Sequence, residues 1–311
     1  MSGGTTGKLG VNTTDIVYYL NQRVGKFSPK KNLNRQYLYY FLHTKSEESL
    51  KIAGGAAQPN LSTEQIKNFQ IPIPPLSEQQ AIVEKLDTAF DLIDRAKANI
   101  EQNIQNAKEL FQSKLNQVFS QKGEGWEEKK LRDICEFDKT KNTRDLPYVG
   151  LENIESNSGK FIGSFENFKV KSDTFYFNSN HILYGRLRPY LNKVLIPNFE
   201  GHCSTEIFPL KVNAEKVHRN FLFHWLMSSN IVDAINTTCT GARMPRANMN
   251  EVLNFEFSFP KSLKTQQKIV AQLDVLSAQS SLLQEKYQQK LANLEELRKS
   301  ILEKAFNGEL V

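Results

Sequence analysis

The residues best able to do chemistry in this 311-residue chain are cations and amides set in stretches without helical or strand periodicity. Lys139-Thr140-Lys141-Asn142-Thr143-Arg144 is basic and polar, which predicts an exposed loop. Tyr184-Gly185-Arg186-Leu187-Arg188-Pro189-Tyr190-Leu191-Asn192-Lys193 alternates cations with apolar residues behind a predicted strand. Gly241-Ala242-Arg243-Met244-Pro245-Arg246-Ala247-Asn248 predicts a loop with two arginines, and Gln22-Arg23 with Lys30-Lys31 plays a similar part near the amino end. Arginine can bond a guanine edge at two points and Asn or Gln an adenine edge, whereas lysine mostly neutralises phosphate. Lys139, Lys141, Arg144, Arg186, Arg188, Lys193, Arg243, Arg246, Gln22 and Arg23 are therefore the candidate nucleic-acid contacts. The plain alternative is that they are solvated surface charges.

Signatures of catalysis are missing from the sequence. It holds no G-x-x-x-x-G-K-[ST], no G-x-G-x-x-G behind a strand, no H-E-x-x-H and no G-x-S-x-G. An Asn-Pro-Pro-aromatic tetrad, expected of an adenine methyltransferase, is also missing. His202-Cys203 is the nearest approach to a metal pair, but no C-x-x-C or i,i+4 histidine accompanies it, so a buried strand position is expected instead. The chain reads as non-catalytic.

The net charge of +6 is unevenly spread. Residues 1–75 carry nine Lys/Arg against four Asp/Glu, while residues 76–121 carry five against seven. A basic balance fits a polyanionic partner without specifying a fold. Cys135, Cys203 and Cys239 are odd in number and scattered, which argues against a disulfide framework. No run of about 18 apolar residues suggests a membrane span. The amino end does not resemble a secretory signal, so the expected location is the cytoplasm.

What positions the loops is a long element that the chain writes twice. Asn68-Phe69-Gln70-Ile71-Pro72-Ile73-Pro74 and Asn254-Phe255-Glu256-Phe257-Ser258-Phe259-Pro260 are related by 186 residues. Glu78-Gln79-Gln80 and Thr265-Gln266-Gln267 follow them, offset by 187. Arg35-Gln36-Tyr37-Leu38 likewise matches Arg219-Asn220-Phe221-Leu222. A period this long reads as a duplicated domain-plus-helix half. Each half then runs about forty residues without Pro or Gly, with apolar residues at alternating three- and four-residue steps, a coiled-coil seam. The seam includes Ile82, Leu86, Ile93 and Ile100 in one copy and Ile269, Leu273, Leu276, Leu283 and Leu294 in the other. At ~1.5 Å per residue each helix is roughly 60–65 Å long, too long to bury its stripe on itself, so antiparallel packing of the two is expected.

The expected fold class is α/β (α+β), with two globular domains joined by two long antiparallel coiled-coil helices in a pseudo-twofold internal repeat. The divisions fall at 1–75, 76–121, 122–260 and 261–311. Short strands are predicted at 7–11 and 16–20, a short aromatic helix over 37–42 and a capping box at Ser62 with Gln65. Residues 71–75 must be extended because of their prolines. Further strands are predicted at 148–151, 182–184, 194–196 and 206–210. The copies differ in length: a counterpart of Trp126 would fall about 60 residues before Met1, so 1–75 reads as a partial domain.

The run Ile71-Pro72-Ile73-Pro74-Pro75-Leu76-Ser77-Glu78-Gln79-Gln80, continuing to Leu86-Asp87, resembles the approach to the conserved helix of type I restriction-modification specificity subunits. Gly125-Trp126-Glu127 with Leu131 and Asp133 is similar to the start of their target-recognition domain, and Ala305-Phe306-Asn307-Gly308-Glu309-Leu310 to the end of their second conserved helix. The resemblance implies a non-catalytic subunit that reads a bipartite double-stranded DNA target. It also implies helices that set the half-site spacing and dock methyltransferase subunits. S-adenosylmethionine, ATP and Mg would then belong to partner subunits, the last two with a motor-nuclease subunit, and none to this chain. The shortened first domain implies completion by another chain, or a homodimer through the long helices. The alternative is a coiled-coil assembly scaffold without DNA readout.

Overall fold

The computed structural model describes residues 7–21, 23–54, 61–121, 123–168 and 173–310. Helices α1 (Arg35–Thr44), α2 (Ser46–Ala53) and α3 (Thr63–Lys67) precede α4 (Leu76–Phe119). Strands β1 (Trp126–Lys130), β2 (Cys135–Phe137), β3 (Leu146–Val149), β4 (Asn167–Phe168), β5 (Thr174–Phe177) and β6 (His181–Gly185) follow. Next come β7 (Val194–Leu195), β8 (Gly201–Ser204), β9 (Ile207–Val212), α5 (Arg219–Met227), α6 (Ser229–Thr237), α7 (Met249–Val252), β10 (Glu256–Pro260) and α8 (Leu263–Phe306). The chain divides into two compact units, Met1–Ile104 with Glu285–Val311, and Gln105–Gln284. None of the described helices is long and apolar enough to cross a membrane.

The first unit is helical. Asn34 caps α1 by accepting from the amides of Gln36 and Tyr37, and Ser62 with Gln65 forms the capping box of α3. The amino-terminal part of α4 and the carboxyl-terminal part of α8 run antiparallel here: Arg298 pairs with Asp94 at 2.7 Å, Lys97 with Glu295, and Lys85 Nζ donates to the Leu310 carbonyl at 2.7 Å. Exposed pairs of this kind contribute little, and the register rests on apolar burial. Ile82, Val83, Leu86, Phe90 and Ile93 close on Leu302 and Ala305 of α8 and on Tyr37 and Tyr40 of α1. Ile100 and Leu294 are half-buried on the same stripe.

Residues 7–11 and 16–20 do not form the expected strands. A strand needs a hydrogen-bonding neighbour, and this unit has no sheet among its described residues to provide one. Residues 71–75 lie in no helix or strand. The predicted loop at 54–60 and the candidate Gln22 lie outside the described residues, except for Gly54.

The second unit holds three sheets among its described residues, ordered β1-β10, β2-β9-β6-β7 and β4-β3-β8-β5. β1 runs antiparallel to β10, with Trp126 opposite Pro260 and Lys129 opposite Phe257. One core places Ile182, Tyr184, Phe208 and Leu210 of the central sheet against Phe221, Leu222 and Trp225 of α5. Leu115 and Val118 of α4 with Val270 and Leu273 of α8 seal the same core. A second core, with Val149, Phe177, Leu183, Cys203 and Ile207, lies under the sheet containing β8. His202 and Cys203 are fully buried on β8, as expected of a strand position. The strand predicted at 148–151 stops at Val149, and Leu151 opens a 3-10 turn. The seam bends from expectation at one point. Leu276 stays half-buried, but Leu283 is 40% exposed. Ser280 occupies the inward position there and donates to the Ala107 carbonyl at 3.0 Å, so a close helix approach has displaced the leucine.

A candidate nucleic-acid interface

Within the second unit, the loop after β6 and the loop between α6 and α7 are tied into one surface. The Arg188 amide donates to the Pro245 carbonyl at 2.7 Å, and the Ala247 amide to the Arg186 carbonyl at 2.9 Å. Leu187 and Arg246 form an antiparallel bridge between them. Arg188 and Asn192 adopt left-handed backbone conformations, φ 51° and 42°, at either side of a short 3-10 turn. Side chains other than Gly occupy that region sparingly, so the bond to Pro245 helps hold it.

The four arginines of this surface are not equivalent. Glu206 holds two of them: Arg186 Nε donates to its carboxylate at 3.0 Å, and Arg246 bonds it through Nε at 3.0 Å and Nη2 at 3.0 Å. Burial alone would raise the Glu206 carboxyl, but the Arg246 and Arg186 guanidiniums bonded to it leave it below the usual carboxylate range. Arg186 also lies over the Phe208 ring, 5.3 Å from its centroid. Arg188 and Arg243 are exposed, and neither side chain has an ionic or hydrogen-bonding partner among the described residues. Tyr190 and Met244, both exposed, flank them. This is an open cationic surface with apolar and aromatic neighbours, suited to phosphate and base contacts.

The remaining candidates fall into other arrangements. Arg144 makes a bidentate pair with Glu200 at 3.0 and 2.8 Å, and the Tyr176 hydroxyl donates to the same carboxylate at 2.7 Å. Lys141 pairs with Asp173 at 2.8 Å on the open surface. Lys139 lies over the Phe137 ring. Lys193 turns inward and donates to the Leu151 and Ile154 carbonyls at 2.7 and 2.9 Å. It serves as a loop anchor in this conformation. Arg23 is exposed in the first unit, its amide donating to Asn21 Oδ1 at 2.9 Å.

Sequence reasoning missed Glu206 and Glu200, which decide which cations are free. It also missed Gln79 and Gln266 as structural centres, although the repeated Gln-Gln pair marked them. No cluster of His, Cys, Asp and Glu among the described residues has metal-holding geometry.

A sequence profile described as the type I restriction modification DNA specificity domain matches residues 1–106 and 123–292. The chain belongs to this family. Among curated members of the specificity family, it is 27% identical to the EcoDI specificity subunit of Escherichia coli, with 89% of this chain and 70% of that protein covered. It is 26% identical to the StySPI specificity subunit of Salmonella potsdam, covering 92% and 68% respectively. A chain from a structural study of complex assembly and conformational transition of the type I R-M system superposes with a TM-score of 0.72 at 18% identity, covering 88% of this chain and 71% of that one. The HsdS subunit from Thermoanaerobacter tengcongensis gives a TM-score of 0.54 at 19% identity, covering 88% and 70%. These structures carry the fold, two recognition-type domains with long helices, and the family carries a DNA-specificity role.

Proposed function

We propose that this chain is the DNA-reading subunit of a type I restriction-modification complex, and that the paired loops at 186–193 and 240–247 read part of the target. One observation carries the residue assignment. Arg188 and Arg243 are exposed and have no partner among the described residues, on two loops locked together by backbone bonds, while Arg186 and Arg246 are held by Glu206. Arg188 and Arg243 then touch DNA, and Arg186 with Arg246 keeps the platform in shape. Lys139, Lys141 and Arg144 belong to a separate loop that contacts phosphate, Lys141 and Arg144 exchanging their Asp173 and Glu200 partners for it. Methyltransferase subunits dock on exposed flanks of α4 and α8, whose lengths set the spacing between the two parts of the target. S-adenosylmethionine, ATP and Mg act on those partners and on the motor-nuclease subunit, and this chain contributes no catalytic group.

The test uses the complex assembled with its methyltransferase subunits. Replacing Arg188 and Arg243 together by alanine should weaken target binding at least tenfold. Each cation withdrawn from a phosphate should make the salt dependence shallower by about one unit of slope. A change confined to one base position would identify an edge interaction instead. Unaltered affinity, salt slope and sequence preference would refute the assignment. Sequencing methylated DNA from cells with and without the gene reports the bipartite motif directly.

A further inference from the structure

Among the described residues, three other than glycine have a left-handed backbone: Asn157, Arg188 and Asn192, with φ of 59°, 51° and 42°. All three meet at one corner of the second unit. Arg188 and Asn192 flank the same 3-10 turn, and the Asn157 amide donates to the Asn192 carbonyl at 3.1 Å. Asparagine enters this region with little difficulty, but arginine has no short polar side chain to ease it. Such conformations persist where the surroundings over-determine them, and they gather at ligand clamps.

The turn is braced from both sides. On one side the Pro245 carbonyl accepts from the Arg188 amide at 2.7 Å. On the other, Lys193 Nζ holds the Leu151 and Ile154 carbonyls, a few residues before Asn157. The loop carrying Asn157 is itself pressed onto α5, since a Cβ at Gly159 would lie 2.5 Å from the Phe223 ring. Within the turn the Leu191 amide donates to the Arg188 carbonyl at 2.9 Å, and the Asn192 amide to the Pro189 carbonyl at 2.8 Å. Pro189 and Asn192 are buried and Leu191 is half-buried.

What this bracing presents is one ring. Tyr190 is 52% exposed at the crest of the turn, two positions after exposed Arg188. With the backbone fixed on either side, the ring offers a large, rigid contact that loses little freedom on binding. Beside a cation suited to phosphate, the partner surface that accepts a ring face is a nucleobase, on which aromatic side chains stack whatever the base. In a duplex that contact requires a base step to open, and pyrimidine–purine steps open most readily.

We propose that Tyr190 is a specificity-determining residue, whose ring wedges against one base step of the DNA target and selects a step that unstacks easily. This role rests on the DNA-reading assignment of the loops at 186–193 and 240–247 and adds a second kind of readout to it. Arg188 supplies charge and hydrogen bonds, whereas Tyr190 reads how readily the duplex deforms. The bracing gives the strain at Arg188 and Asn192 a purpose: a turn that cannot retract makes the DNA yield instead of the protein.

The test titrates the complex, assembled with its methyltransferase subunits, with a duplex bearing the motif that methylation sequencing reports. Tyr190→Ala should weaken binding about tenfold, the effect of losing one aromatic stack. Its salt slope should stay unchanged, because no charge is withdrawn. Tyr190→Phe, which keeps the ring, should bind within about twofold of wild type. Duplexes with a single abasic site at each position in turn locate the step. At one step the Tyr190→Ala penalty should fall below about twofold, and elsewhere it should stay near tenfold. A residue that only shapes the loop would give the same penalty on every duplex. The proposal is overturned if Tyr190→Ala binds as wild type does, if Tyr190→Phe loses as much as Tyr190→Ala, or if no abasic position removes the penalty. Weakened binding by the Arg188 and Arg243 double variant, with none by Tyr190→Ala, sinks the ring contact alone. Unaltered binding by both sinks the loop assignment beneath it.

Discussion

In one unit, buried Gln79 accepts from the Asn34 amide and donates to the Asn32 and Pro74 carbonyls. In the other, buried Gln266 accepts from the His218 amide and donates to the Lys216 and Pro260 carbonyls. The same three bonds thus tie the first turn of each long helix to the start of the helix that packs on it. Around this shared joint the units diverge. Tyr40 donates to Asp87 in the first, and His224 bonds Asp274 at 2.8 Å in the second. Tyr37 meets Phe306 at 4.9 Å, and Phe221 meets Phe119 at 5.2 Å. The joint between domain and helix is kept, whereas the sheet surface built on it is not. Duplication preserves what must satisfy buried backbone groups and leaves exposed loops free to differ.

The largest expected effect breaks that joint. Gln79→Leu and Gln266→Leu each leave three backbone groups, most of them only part-buried, without their side-chain partner, at a cost toward the low end of roughly 1–3 kcal/mol per group. Each substitution should therefore destabilise its own unit by about 4 kcal/mol on those values. Exchange measurements should show amide protection falling in that unit and holding in the other; a loss below about 1 kcal/mol in both would mean that water can replace the joint. Next in size, Leu273→Ala in the sealed core should cost about 3 kcal/mol in urea unfolding.

A smaller effect exchanges the two solutions at the aromatic position. Burial pushes His224 below the usual histidine range, only partly offset by Asp274, and its Nδ1 is buried with no hydrogen-bond partner among the described residues. Because its folded value is depressed, the unfolded chain takes up the proton more readily. The contribution of neutral His224 is then complete above about pH 6.5 and is lost as pH falls through the folded value. Tyr40 is pushed up to about 12, by burial first and then by its bond to Asp87, and does not titrate in this range. His224→Tyr should flatten the decline of the second unit's stability between pH 7 and 5, and Tyr40→His should steepen that of the first. Neither change can exceed about 1.4 kcal/mol per pH unit for one proton. Equal slopes in wild type and variants would remove His224 as the source. Last, Leu283→Ala, at the point where Ser280 takes the inward place, should stay within about 0.5 kcal/mol.

Much of this was readable from residue order. The alternating apolar steps of α4, from Ile82 to Val118, are all buried or half-buried, and the Ser62–Gln65 box and the helix over 37–42 form where local chemistry directs them. These are local effects: helix periodicity and capping depend on residues within four positions of one another. Leu283 departed because its inward place depends on how closely the facing helix approaches at Ala107, 176 positions away. Residues 16–20 have strand-forming types, yet a strand exists only when a neighbour completes the ladder.

Sequence by itself determined the duplication, the long helices and the basic loops. Tertiary structure alone decided which cations are free. Glu206 lies 20 positions from Arg186 and 40 from Arg246, and Glu200 lies 56 from Arg144, yet all sit within bonding distance. Charge partners across such separations are chosen by the fold that brings strands and loops together. Arg188 and Arg243 therefore differ from their neighbours in partners and not in residue type.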